Sequence, residues 1–148
     1  MSSEHRPVYI SRRVEFSAAH RYHNPRWSAE KNREVFGPCN SPFGHGHNYK
    51  LQVTVAGSVD PETGMIVNLR DIDAVLQEHV VGRLDHRHIN EELPEWHDRN
   101  PTTENLVVDI WERIEPLMRY ANARLHRVRL YESPSLYSEY YGKNTAES

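Results

Sequence analysis

The stretch His45-Gly46-His47-Asn48-Tyr49-Lys50-Leu51-Gln52-Val53-Thr54-Val55 sets the fold class and marks the first functional residues. Tyr49, Leu51, Val53 and Val55 are apolar at every second position, and side chains at i, i+2 and i+4 line one face of a strand. His45 and His47 therefore share a face with core residues. Upstream, Val8 to His20 repeats the pattern through Val14, Phe16 and Ala18, with Arg12 the one misfit on the apolar side, and ends on His20. Three imidazoles thus stand at strand ends and point with the core. Burying them costs free energy unless each finds a partner, and one cation satisfies all three. Three neutral nitrogens with no evident fourth ligand suit a catalytic zinc that keeps one position open. Such an ion is a Lewis acid able to polarise a substrate oxygen. His5, His23, His79, His88, His97 and His126 show no such pattern and read as ordinary residues.

Around these strands, turn signals alternate with helical periodicity. Ser28 is placed to N-cap a short polar helix, Ala29 to Phe36, with Gly37 as its left-handed stop. Pro38 to Gly44 reads as a loop that carries Cys39 toward the histidines. The second strand extends from about His47 to Val59, and Asp60-Pro61-Glu62-Thr63-Gly64 is turn chemistry. Met65 to Val67 reads as a short returning strand. Asn68 is an N-cap for a helix in which Leu69, Ile72, Val75, Leu76 and Val80 keep the i, i+3, i+4 rhythm, ending near Leu84. Pro94 to Pro101 reads as loop. Thr102 or Thr103 then caps a second helix with Leu106, Ile110, Trp111, Ile114 and Leu117 as its buried stripe, and Glu104 suits its positive end. Val128, Leu130 and Glu132 alternate in a further long strand, and a last one runs from Leu136 to Tyr141. The order is ββααββ: an α+β layer with an antiparallel sheet and two helices on one face. A tyrosine-rich last strand and free sheet edges predict an oligomer.

The 148 residues make one domain, 1–148, with 37% hydrophobic and 26% charged residues. A net charge of -3 argues against a general nucleic-acid binder. No apolar run approaches the ~20 residues of a membrane span, and Met1 to Pro7 lacks the apolar core of a signal peptide. Cys39 is the one cysteine, so no intrachain disulfide forms, which fits a reducing cytosol and a cytoplasmic protein.

Three further features carry chemical promise. Cys39, six residues before His45, reads as a small buried residue, as a fourth zinc ligand of a structural site, or as a thiolate base or nucleophile. Asp85-His86 closes the first long helix, and a carboxylate beside an imidazole raises its basicity and fixes its tautomer. Glu132 follows Val128 and Leu130 on the core-facing side. It either escapes to water at the strand end or anchors a flat, donor-rich ligand edge through two parallel hydrogen bonds.

Together these residues resemble the 6-pyruvoyl-tetrahydropterin synthase family. The resemblance rests on Phe16-Ser17-Ala18-Ala19-His20, Phe36-Gly37-Pro38-Cys39-Asn40 and Gly44-His45-Gly46-His47-Asn48-Tyr49. It continues through Asp60-Pro61-Glu62-Thr63-Gly64-Met65, Leu84-Asp85-His86, Pro101-Thr102-Thr103-Glu104-Asn105 and Tyr131-Glu132. It implies a T-fold whose subunits join sheets into a barrel, with trimers pairing into a homohexamer and active sites between subunits. It also implies a zinc-dependent lyase that eliminates triphosphate from 7,8-dihydroneopterin triphosphate with internal redox, as in tetrahydrobiopterin biosynthesis. On that resemblance His20, His45 and His47 hold Zn2+, Cys39 is the general base, and Asp85 with His86 is the proton-relay pair. Glu132 grips the pterin edge, with Thr102, Thr103 and Glu104 nearby. Glu132-Ser133 replaces the family's usual Glu-Thr, and the tail 134–148 matches poorly. The Cys39 to His45 spacing is the longer one of the tetrahydrobiopterin-making side. Relatives with a shorter gap form 6-carboxy-tetrahydropterin for queuosine biosynthesis, the rival reading. A structural-zinc binding module and a zinc hydrolase are the remaining alternatives.

Overall fold

The computed structural model describes residues 6–143; His5 and both ends of the expected 1–148 domain, at 1–5 and 144–148, lie outside the described residues. In sequence order the elements are β1 (Val8–His20), α1 (Ala29–Phe36), β2 (His45–Gly57), α2 (Leu69–Leu76), α3 (Gly82–Leu84), β3 (Arg87–His88), α4 (Ile89–Glu92), α5 (Thr103–Ile114), β4 (Ala123–Ser133) and β5 (Leu136–Tyr140). One five-stranded sheet has the order β3-β1-β2-β4-β5. All neighbours are antiparallel except β1 and β3, which pair in parallel over two residues.

The alternation in β2 does what its period dictates. Tyr49, Leu51, Val53 and Val55 are buried against helices, as are Val128 and Leu130 opposite them on β4. Ile72 and Leu76 of α2, Leu84 of α3, and Leu106, Val107, Ile110 and Ile114 of α5 close the core from one side of the sheet. Arg12, the misfit in β1, is answered by α2: its guanidinium meets Asp73 through Nε–Oδ1 at 2.8 Å and Nη2–Oδ2 at 3.1 Å. Ser28, Asn68 and Thr102 cap the three longer helices through their side-chain oxygens.

Several expectations are corrected. The second strand is His45–Gly57, two residues earlier at each end than His47 to Val59. Met65 to Val67 is not a strand: the Met65 carbonyl accepts from Asp60 N at 2.9 Å and closes the turn on itself, while Ile66 and Val67 reach the core from that loop. Gly37 has a positive φ of 56° but ψ of -132°, outside the left-handed helical well, and leads into a 3-10 turn at Gly37–Asn40. The first long helix does reach Leu84, but through a π-turn at Gln77–Val81. Arg87 to Glu92, which carries no strand or helix signal, adds β3 and α4, and Pro94–Trp96 forms a 3-10 turn inside the expected loop. The buried stripe of α5 loses its end. Pro116 sits in a tighter turn over Glu115–Leu117, which swings Leu117 into solvent and puts Met118 into the core instead. Trp111 is half-buried, edge-on to Tyr140. The last strand stops at Tyr140. No helix among the described residues is long and apolar enough to cross a membrane.

Candidate metal centre and its surroundings

Strand register builds the site. His20 is the last residue of β1 and pairs with His45, the first of β2, while Ala18 pairs with His47. Directly opposed residues point to the same side of a sheet, so all three rings lie on the core face. Their centroids are 4.7 Å (His20–His45), 4.9 Å (His20–His47) and 4.9 Å (His45–His47) apart, with steep interplanar angles of 83°, 61° and 83°. The rings meet at their edges. His20 Nε2 lies 3.2 Å from His45 Nε2. Glu132, two residues beyond Leu130 on the same face of β4, adds a carboxylate oxygen 2.7 Å from His47 Nε2 and 3.6 Å from His20 Nε2. One ligand atom from each of the four residues lies within 4.8 Å of all the others.

This donor set fits a metal ion. Among the described residues His47 Nε2 is buried and makes no hydrogen bond of good geometry, although Glu132 Oε1 is at 2.7 Å. The two atoms approach without hydrogen-bond geometry, as ligands of a common centre do. His20 is fully buried; burial first, then the His45 and His47 imidazoles, depress it to about 3, against a weaker pull from the Pro101 backbone. Burial also lowers His47, partly opposed by Glu132. Neutral rings keep the lone pairs that a metal needs. The sequence leaves Cys39 open as a fourth ligand, but the fourth member of the group among the described residues is Glu132, so this carboxylate can serve either the ion or a bound molecule.

Cys39 reaches the same neighbourhood from the 3-10 turn after α1. The turn is tied to the two residues just beyond His20: Tyr22 N donates to the Cys39 carbonyl at 2.8 Å, and the Arg21 side chain donates through Nε to the Asn40 carbonyl at 3.0 Å. Burial pushes the thiol up from its ordinary range, and the Glu132 carboxylate pushes it further. Tyr22 is raised by burial and then by Glu132, Cys39 and Glu104, which places these acidic groups around one phenol. The start of α5 borders the site as well. Thr102 caps through Asn105 N at 3.1 Å, Thr103 Oγ1 donates to Glu104 Oε1 at 2.9 Å, and Ser138 Oγ donates to Thr103 Oγ1 at 3.0 Å.

Asp85 and His86 stand apart from this group. Asp85 Oδ1 accepts from Ser17 N at 2.8 Å and Oδ2 is 2.9 Å from His86 Nδ1. His86 N donates to the Ser17 carbonyl, and its side chain is 83% exposed, with a positive φ of 60°. The Ser17 hydrogen bond and His86 hold the Asp85 carboxyl below its usual range. The pair thus rides on the outer edge of β1, bonded to Ser17 and to itself rather than to the histidine cluster or Cys39. A groove of about 370 Å³ beside it is bordered by Ser17, Ala19, His47, Asn48, His86 and His88, so it touches one member of the cluster. Two neighbours of the cluster lack a sequence signal of their own. Tyr22 lies just past the strand pattern, and His88 sits on a two-residue strand too short to show periodicity. Tyr49 is legible as a core residue of β2 but not as a partner of His20, whose Nδ1 it meets at 2.8 Å.

Comparison with known proteins agrees with the geometry. The sequence model described as 6-pyruvoyl tetrahydropterin synthase matches residues 9–143. The human 6-pyruvoyl tetrahydrobiopterin synthase is 40% identical over 134 residues, 90% of this protein and 91% of that one. The protein of the same name from Poecilia reticulata is 49% identical over 106 residues, 72% of each sequence. The solved structure of Caenorhabditis elegans 6-pyruvoyl tetrahydropterin synthase superposes with a TM-score of 0.85 at 33% identity, covering 93% of this protein and 96% of that one. With the motif-bearing strands in register and the family match spanning nearly the whole sequence, the protein belongs to the 6-pyruvoyl tetrahydropterin synthase family.

Proposed function

We propose that the protein converts 7,8-dihydroneopterin triphosphate to 6-pyruvoyl-tetrahydropterin, eliminating triphosphate and shifting electrons from the substrate's side arm to its ring without an external redox cofactor. The observation that carries this reading is the convergence of His20, His45 and His47, with a buried His47 Nε2 that meets Glu132 Oε1 at 2.7 Å without hydrogen-bond geometry, in a member of this family. These three histidines would hold a zinc ion. Bound there, zinc supplies Lewis acidity toward substrate oxygens and makes the neighbouring C–H groups more acidic.

The protein's own residues do the rest. Cys39 removes a proton from a carbon of the substrate's side arm as general base. Burial and Glu132 push its thiol up; a cation held by the histidines would counter the Glu132 field. Glu132 receives two parallel N–H donors from the pterin edge, the bidentate geometry that a carboxylate favours, and Thr102, Thr103 and Glu104 border that edge. Asp85 orients His86 for proton relay. Because Asp85 and His86 lie on the outer edge of β1, the pair serves the site of a neighbouring subunit. That arrangement agrees with a homohexamer built of two trimers whose sheets close into a barrel. A single cysteine and no disulfide agree with a cytoplasmic enzyme.

Incubation with 7,8-dihydroneopterin triphosphate, with the products identified by mass spectrometry, tests the reading. The expected products are 6-pyruvoyl-tetrahydropterin and triphosphate. Acetaldehyde with a carboxylated pterin would assign the protein to the 6-carboxy-tetrahydropterin reaction, and no consumption of substrate would overturn both.

A further inference from the structure

His20 uses one ring nitrogen at the metal centre, and the other meets a residue that the proposed mechanism leaves idle. His20 Nε2 faces His45 Nε2 at 3.2 Å and Glu132 Oε1 at 3.6 Å. Nε2 is therefore the ligand atom, and a neutral ring ligating through Nε2 carries its proton on Nδ1. That Nδ1 lies 2.8 Å from the phenolic oxygen of Tyr49, while the Pro101 backbone acts on the same ring more weakly than its burial does. Tyr49 has no exposed surface. Its ring stacks on Phe16 at 4.9 Å and 11°, and stands edge-on to His20 at 6.2 Å and to His47 at 5.8 Å. It occupies the third position, after His45 and His47, on one face of β2. One strand thus delivers two ligands and a clamped hydroxyl aimed at the third.

We infer that Tyr49 is a positioning residue of the metal centre, its hydroxyl oxygen accepting the Nδ1–H of His20 and so fixing that ring's tautomer and orientation with Nε2 free for the ion. The inference rests on the metal-binding part of the proposed function. A residue that merely fills the core would be replaced by phenylalanine without effect on the metal, because the ring and its stacking on Phe16 remain. A residue that orients a ligand would not, since loss of such outer contacts costs about 10–100-fold in metal affinity.

The test compares wild type with Tyr49→Phe, each full length. Zinc affinity is measured against a chromophoric chelator, and without zinc thermal unfolding is followed and 15N NMR reports the His20 tautomer. The expected result is zinc affinity weaker by about 10–100-fold, with cooperative unfolding retained and the Nδ1–H form of His20 no longer dominant. Unchanged affinity with an unchanged tautomer would overturn the assignment while leaving the metal centre standing. A wild-type protein that binds no zinc would overturn the metal centre and the assignment together. Should the variant fail to fold, the zinc-free wild-type spectrum decides: a proton on His20 Nδ1 supports the assignment, and one on Nε2 contradicts it.

Discussion

A histidine with no exposed surface must stay neutral or meet a partner, and His20 sits between two other imidazoles that both oppose its charging. Its folded value, about 3, lies below the ordinary 6.5. The folded state therefore binds fewer protons than the unfolded one between these values, and stability falls as pH drops through that window. Metal-free protein should lose up to about 1.4 kcal/mol per pH unit from this ring alone, read from denaturant midpoints between pH 6.5 and 3; a flat profile would show His20 to be solvated. Cys39→Ala should keep fold and metal content while turnover drops by ~10²–10⁴, the usual cost of losing a general base. Loss of metal in that variant would make Cys39 a ligand instead. Glu132→Gln should raise KM with zinc retained, because one acceptor of a bidentate pair becomes a donor. Zinc loss with substrate affinity intact would move Glu132 from substrate to ion.

Elements are legible where one period governs them. β1 and β2 keep their alternation up to the histidines, so their faces, and with them the side on which His20, His45 and His47 lie, follow from sequence. The caps at Ser28, Asn68 and Thr102 are legible because their chemistry is local. Met65 to Val67 misleads because its apolar residues serve burial from a loop that hydrogen-bonds to itself. Leu117 misleads because a proline changes the period one residue earlier. β3 and α4 are too short to carry a pattern, yet β3 places His88 against Gly44 just before β2. Gly44 has φ of 71°, and a Cβ there would stand 2.6 Å from His88 Nε2 and 3.0 Å from the His20 carbonyl. Gly44→Ala should therefore cost at least the ~1–2 kcal/mol of a left-handed non-glycine residue and weaken metal binding by displacing the start of β2. Unaltered melting temperature and zinc affinity would show that this entry tolerates a side chain.

At the scale of the molecule, both edges of the sheet are open among the described residues. Among the described residues β3 pairs with β1 at Ala18 and Ala19 alone, so most of that side of β1 is open, with Val8 and Tyr9 about half exposed, and β5 is the opposite edge. The strand pattern points to association on this ground, but it does not say which site Asp85 and His86 serve, because contacts between copies leave no spacing in one sequence. Mixed oligomers of Cys39→Ala and His86→Ala subunits should recover activity that neither parent has, measured as turnover after co-refolding; no recovery would return the pair to its own subunit's site.

X-ray absorption at the metal edge of the purified, folded protein tests the centre itself. One divalent ion per subunit with a nitrogen and oxygen shell at ~2.0–2.1 Å, and no sulfur at ~2.3 Å, is the result that three imidazoles dictate. Protein that retains no ion, or an ion bound to the Cys39 thiolate, would contradict it.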